Sequence, residues 1–343
     1  MEENKIYKPI LKKAWAITWK FKSLWFLGFF AALISSGGEF ELLSRIISDP
    51  ASNQSFIREM INSFQTGIQD NLPAGGNLWS NLWSVISSAP TSLVTAVLVI
   101  LITIIIALFV LWLMIVSQIG LIKNIDSAKE NKMSTINEGI DAGVEKFWPI
   151  LIINIVYKII LLVIFLVLGK EILLLITLGT LGSVIHVVSL VLFSIIVVII
   201  SFLIRYQILY IVLRKEKILS ALKSAWKLFL GNWLISLEMA FILFIVYMVV
   251  FYLATFLTAV LLAVPLIFVT YSSQIPALVL MILVLTSVLA IVIMTLLVTA
   301  LLSVFQWSSW VILFNQINTN KTLSKIARLS AKSPNIPNIF KKK

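Results

Sequence analysis

Apolar residues in this chain run in long unbroken blocks, and the blocks are longer than the core helix of a soluble domain requires. A helix rises about 1.5 Å per residue, so a hydrocarbon layer of about 30 Å takes roughly 20 mostly apolar residues. The clearest block is Pro90 to Ile122, which holds no charged residue and is almost wholly Val, Ile, Leu and Phe from Val97 to Met114. Phe147 to Gly169 is interrupted only by Lys158, and Ile172 to Ile204 is a further uncharged run of 33 residues. Trp233 to Val304 carries a single charge, Glu238, in 72 residues.

These blocks predict an all-α, polytopic transmembrane helical bundle with six spans at about 23–38, 93–117, 147–169, 183–204, 233–258 and 279–304. Gly179-Thr180-Leu181-Gly182 reads as a break before the fourth span, and the proline-bounded Pro265 to Pro276 as one outer turn between the last two. Residues 39–91 form the one sizeable outer loop, in which Phe56, Met60, Ile61, Phe64 and Ile68 make a helical stripe. Residues 305–343 read as a basic tail.

A weaker pattern precedes the odd-numbered spans. Tyr7 to Trp15 leads into the first, Ser134 to Phe147 into the third and Ile218 to Trp226 into the fifth, each with apolar residues at helical spacing. Aligning Ala14-Trp15 with Ala225-Trp226 also matches Leu11 to Leu222 and Lys12 to Lys223, and an 82-residue shift places Ile136 on Ile218, Ile140 on Leu222 and Phe147 on Phe229. The expectation is three pseudo-repeated units around a common centre, each an interfacial amphipathic helix followed by a transmembrane hairpin. Such helices lie in the headgroup plane with lysines up, and Trp15, Trp19, Trp148, Trp226 and Trp233 fit an aromatic belt.

Composition agrees: 60% of the 343 residues are apolar and 12% charged, against about 45–50% and about 25% in soluble domains. The net charge of +12 changes the picture once it is placed along the chain. The N-terminus, 118–146, 205–232 and the tail hold 23 basic and 8 acidic residues, and the opposite side holds 3 and 6. Because Lys and Arg mark the cytoplasmic side, both termini are expected inside a plasma membrane, with the basic residues meeting anionic headgroups and not nucleic acid. The basic start, 14-residue apolar core and Ser35-Ser36-Gly37 also have the layout of a secretory signal.

Candidate chemistry is sparse. The chain has no cysteine and one histidine, His186, with no carboxylate nearby in sequence. The HExxH, GxSxG and GxxxxGK[ST] patterns are absent, and no cofactor is expected. Lys158 and Glu238 are the ionisable groups within spans, each a functional hypothesis because a lysine near a helix centre costs roughly 2.5–3.5 kcal/mol to insert. Both helices run outward, so Lys158 can lean back toward Glu238, and Asn154, one turn earlier, can join a candidate intramembrane polar network. An ion pair, two snorkelling side chains and a proton or ion relay are the alternatives.

Leu11-Lys12-Lys13-Ala14-Trp15 running into Trp25-Phe26-Leu27-Gly28-Phe29-Phe30, and Ala221 to Trp226 followed by Asn232-Trp233, resemble a loose group of prokaryotic integral membrane proteins of unknown function. That group is similar to the membrane domain preceding the catalytic barrel in some glycerophosphoryl diester phosphodiesterases. The resemblance implies the layout of the membrane domain alone. The hydrolase belongs to a separate barrel of about 250 residues, so no catalytic residue carries over. The expectation is a non-enzymatic integral membrane protein that binds lipid or organises a protein partner. The alternative is a transporter or channel using Lys158 and Glu238.

Overall fold

The computed structural model describes residues 7–34, 90–129, 136–271 and 277–319, and every regular element among them is helical. In chain order the helices are α1 (Tyr7–Lys20), α2 (Leu24–Ile34), α3 (Pro90–Lys129), α4 (Ile136–Glu145), α5 (Phe147–Arg214), α6 (Ile218–Tyr271) and α7 (Ala277–Thr319). Among the described residues five segments are long and apolar enough to cross a membrane, and the bent pair α1–α2 makes a sixth if counted as one span. Their most apolar windows are at most 28% buried in the protein, so they offer their side chains to lipid. The protein is a multi-pass membrane protein of helical type.

The described residues divide into two compact units. One contains 161–195 of α5 and α3 up to Leu113, where Phe109 stacks on Trp112 at 6.0 Å and residues such as Ile105, Leu108 and Val187 are exposed. The other holds α1, α2, α3 from Met114, α4, both ends of α5, α6 and α7, and it contains the main core.

Local chemistry explains where the helices of the larger unit stop. α1 tolerates Pro9 because a first-turn N–H has no intrahelical partner, and it ends in a 115° bend before α2. Trp25 Nε1 donates to the Thr18 carbonyl at 2.8 Å, satisfying an orphan acceptor across the bend. α5 ends on Lys215, which is left-handed (φ 55°) and donates its N–H to the Tyr210 carbonyl. Glu216 opens α6 by accepting from the Ser220 and Ser224 hydroxyls, both at 2.9 Å, a favourable place for a carboxylate beside a helix N-terminus.

The three short leading helices have one architecture. α1 breaks at Phe21 to Ser23, α4 breaks at Lys146, and α6 carries a non-helical Asn232 (φ −143°, ψ 26°). The shift of 211 residues that superposes Ala14 on Ala225 also places Phe21 on Asn232. Burial follows the same register. Ala14, Gly143 and Ala225 are buried, as are Ile10, Gly139 and Ala221 one turn before them, whereas the next positions, Trp15, Val144 and Trp226, are 56%, 52% and 47% exposed.

Each leading helix rests on the end of the apolar helix before it. A Cβ on Gly143 would lie 2.6 Å from Val116 Cγ1 of α3, and one on Gly139 would meet the Asn124 amide at 2.7 Å. At the start of α6, Phe229 stacks on Phe202 of α5 at 5.7 Å, and Gln207 Nε2 donates to the Ile218 carbonyl at 3.0 Å. α1, the first helix described, rests on α7, with Trp15 edge-on to Phe305 at 6.1 Å. Beside it α2 closes on α7 through Gly28, where a Cβ would lie 2.8 Å from the Ala300 carbonyl oxygen. Thus the apolar faces of these helices meet protein, and not the lipid layer that the sequence pattern suggests.

The ends of α5 and α7 run parallel, as Phe202 meets Trp310 at 5.8 Å, Tyr206 meets Phe314 at 6.4 Å, and Tyr210 donates to Asn318 Oδ1 at 3.1 Å. α3 joins them where Asn315 Nδ2 donates to Asp126 Oδ1 at 3.0 Å. Ser303 to Phe314 are twelve consecutive buried residues, so this part of α7 is enclosed on all sides.

Several sequence expectations change accordingly. Residues 305–319 do not begin a tail but continue α7 into the core, and 320–343 lie outside the described residues. α6 passes through Pro265 to Tyr271, so that part of the expected outer turn is helix. Gly179 to Gly182 is helical too. A straight path from Phe147 to Tyr206 would cover about 88 Å, yet a short chain of contacts joins them: Tyr206 to Phe314, Asn315 to Asp126, and Asn124 to Gly139, eight residues before Phe147. The helical backbone therefore turns back between Ile153 and Phe202. The first span is described only as α2, and the outer loop at 39–89 lies outside the described residues.

Candidate functional site

Lys158, Asn154 and Glu238 are not brought together. Lys158 is exposed among Ile155, Ile159 and Leu162 and has no hydrogen-bond or ion-pair partner among the described residues. Asn154 is half-buried and donates its amide back to the Ile150 carbonyl at 2.9 Å. Glu238 is half-buried and accepts from the Tyr7 hydroxyl of α1. The pair expected between Lys158 and Glu238 is not formed, because the rotation of each helix about its axis turns Lys158 outward and Glu238 toward α1.

Around Glu238 the core holds polar groups that the apolar blocks conceal. Tyr206 donates to Ser236 Oγ at 2.6 Å, and Ser236 passes its own proton to the Asn232 carbonyl at 3.0 Å, which ties α5 to the break in α6. Tyr247 donates to Gln306 Oε1 at 2.8 Å, linking α6 to α7. Arg205 is 7% exposed and lies over the Trp310 ring at 4.6 Å, a desolvated cation–π contact worth about 2 kcal/mol. On charge alone Arg205 reads as the edge of a loop. The signal against that reading is the apolar Ile208 to Leu213 that follows it. Tyr7→Phe removes the hydroxyl that donates to Glu238, and a loss of about 1.5–3 kcal/mol is expected, read as a lower unfolding midpoint in detergent.

Buried polar atoms without partners include Gln118 Oε1, Asn124 Oδ1, Ser308 Oγ, Ser309 Oγ and the indole nitrogens of Trp307 and Trp310. Residues 307–310 point about 100° apart in turn around α7. They therefore face different neighbours and do not converge on one ligand, and single ordered waters suffice for them. No group of three or more His, Cys, Asp or Glu is placed to hold a metal ion among the described residues. The His186 side chain lies outside them.

At the α4–α5 break, Lys146 Nζ and Glu145 Oε1 pair at 2.7 Å, and the hydrogen bond and charge of Lys146 hold the exposed Glu145 carboxyl below its ordinary range. A depressed carboxylate contributes above its unfolded pKa and fades as pH falls through its folded one, so the Glu145 carboxylate stays ionised on mild acidification. No protein-family model, curated protein or solved structure matches this chain.

Proposed function

We propose that this is a non-enzymatic integral membrane protein whose leading helices α1 and the start of α6 hold anionic lipid headgroups on the cytoplasmic side of the plasma membrane, with both termini on that side. The observation that carries the reading is the exposure of basic and aromatic side chains on both helices, at matched positions for Lys12 with Lys223 and for Trp15 with Trp226. α1 exposes Lys8, Lys12, Lys13, Trp15, Trp19 and Lys20, and α6 exposes Lys223, Trp226, Lys227 and Trp233. Indole rings favour the headgroup level and lysines the anionic surface, at about 1 kcal/mol per charge. Both helices are thus amphipathic in a particular sense, with one face on protein and the other at the lipid surface.

α4 departs from this pattern by exposing Glu138, Asp141 and Glu145, so lipid contact falls to two of the three repeats. Transport is less well supported, because Lys158 and Glu238 occupy separate surroundings. The test replaces Lys12, Lys13, Lys223 and Lys227 by Gln and compares co-purified lipid from membranes containing phosphatidylglycerol. Depletion of phosphatidylglycerol relative to the native chain is expected, with unchanged lipid composition overturning the reading. Reporter fusions after Ser303 and Pro276 are expected inside and outside respectively.

A further inference from the structure

Lys158 is the one charged residue between Phe147 and Ile164 of α5, and it lies among exposed apolar side chains. Its Cα lies eleven residues beyond Phe147, about 16 Å along the axis, which is close to half the thickness of the hydrocarbon layer. The helix start is marked by the ionised Glu145–Lys146 pair and by Trp148, 68% exposed, and this fixes the headgroup level at that end. Within the layer Lys158 has neither water nor, among the described residues, a carboxylate within reach.

A lysine so placed carries its four-carbon stem back toward Phe147, because side chains lean to the helix N-terminus. The remaining distance is covered when the bilayer thins locally and a headgroup descends to meet the ammonium. Asn154 is one turn nearer that headgroup on the same face. Its amide gives one hydrogen to the Ile150 carbonyl and keeps a second to donate.

We propose that Lys158, aided by Asn154, binds the phosphodiester of an anionic phospholipid drawn below the headgroup plane on the membrane face of α5. A charge-assisted contact to the phosphate supplies the counter-charge that the protein does not. This site is separate from the lysines of α1 and α6, so the proposal stands or falls without that reading.

The test uses the full chain in non-ionic detergent, titrated with phosphatidylglycerol and followed by native mass spectrometry. Lys158→Met is expected to weaken the tightest lipid by about tenfold, the scale of one charge-assisted hydrogen bond, with Lys158→Arg close to native. Diacylglycerol, which lacks the phosphate, is expected to bind all three alike and weakly. Replacing the four lysines of α1 and α6 is expected to leave this single tight lipid in place. Equal phosphatidylglycerol binding by the native and Met variants overturns the proposal. So does a change of oligomeric state in Lys158→Met with lipid binding intact, which would assign the ammonium to a carboxylate of another chain. Unfolding midpoints of both variants close to native exclude a folding defect as the cause.

Discussion

Trp310→Ala is expected to lower stability by about 3–5 kcal/mol, the range for deleting a fully enclosed large aromatic side chain. Trp310 is completely buried and touches Phe202, Tyr206 and the Arg205 guanidinium, so its removal empties the junction of α5 and α7. It also removes the ring face that Arg205 lies over, and with it a cation–π contact in a desolvated place. The loss should appear as a lower midpoint in denaturant titration of the detergent-solubilised protein. Trp148→Ala, at a site 68% exposed, is the control and should shift the midpoint little. Trp310→Phe should recover part of the loss, because a ring face remains available to Arg205.

The second large effect is steric and is expected three times over. Gly143→Leu places a side chain where even a Cβ would lie 2.7 Å from the Val116 carbonyl oxygen, so α4 must lift from α3. Overpacking of this kind costs about 1–3 kcal/mol and more where backbone must move. Ala14→Leu and Ala225→Leu occupy the matched buried positions of α1 and α6. Comparable losses at all three, with Val144→Ala and Trp226→Ala near neutral, would establish that the repeats share one docking geometry. A large loss at Gly143 alone would mean that the common register carries no common energetics.

Much of this architecture is legible in the sequence because it depends on short-range properties. Uncharged runs of more than twenty residues require apolar helices whatever their neighbours. The threefold register shows in Ala14-Trp15 and Ala225-Trp226 because a small residue must face protein and the tryptophan beside it need not. What escapes is the set of contacts between distant segments. Residues 305–319 look like the start of a tail, since Ser303, Gln306, Ser308 and Ser309 dilute the apolar pattern. They are buried because α1, α3, α5 and α6 surround them. Arg205 looks like a boundary marker until Trp310 supplies its ring. Depth along two helices suggests pairing Lys158 with Glu238, and depth does not determine rotation. Tyr7, 231 residues before Glu238, takes the carboxylate, and nothing local to either residue announces it.

The seating of α1 against α7 has a consequence for how the protein is made. The ribosome completes α1 first and Phe305 some 285 residues later, an interval of roughly 15 to 60 s at about 5–20 residues per second. For that time the stripe of Tyr7, Ile10, Ala14 and Ile17 lacks its seat on α7. Nascent chains stalled before α7 should therefore present this stripe to insertion factors and proteases. The stripe gains its seat on α7 only once that helix has been made.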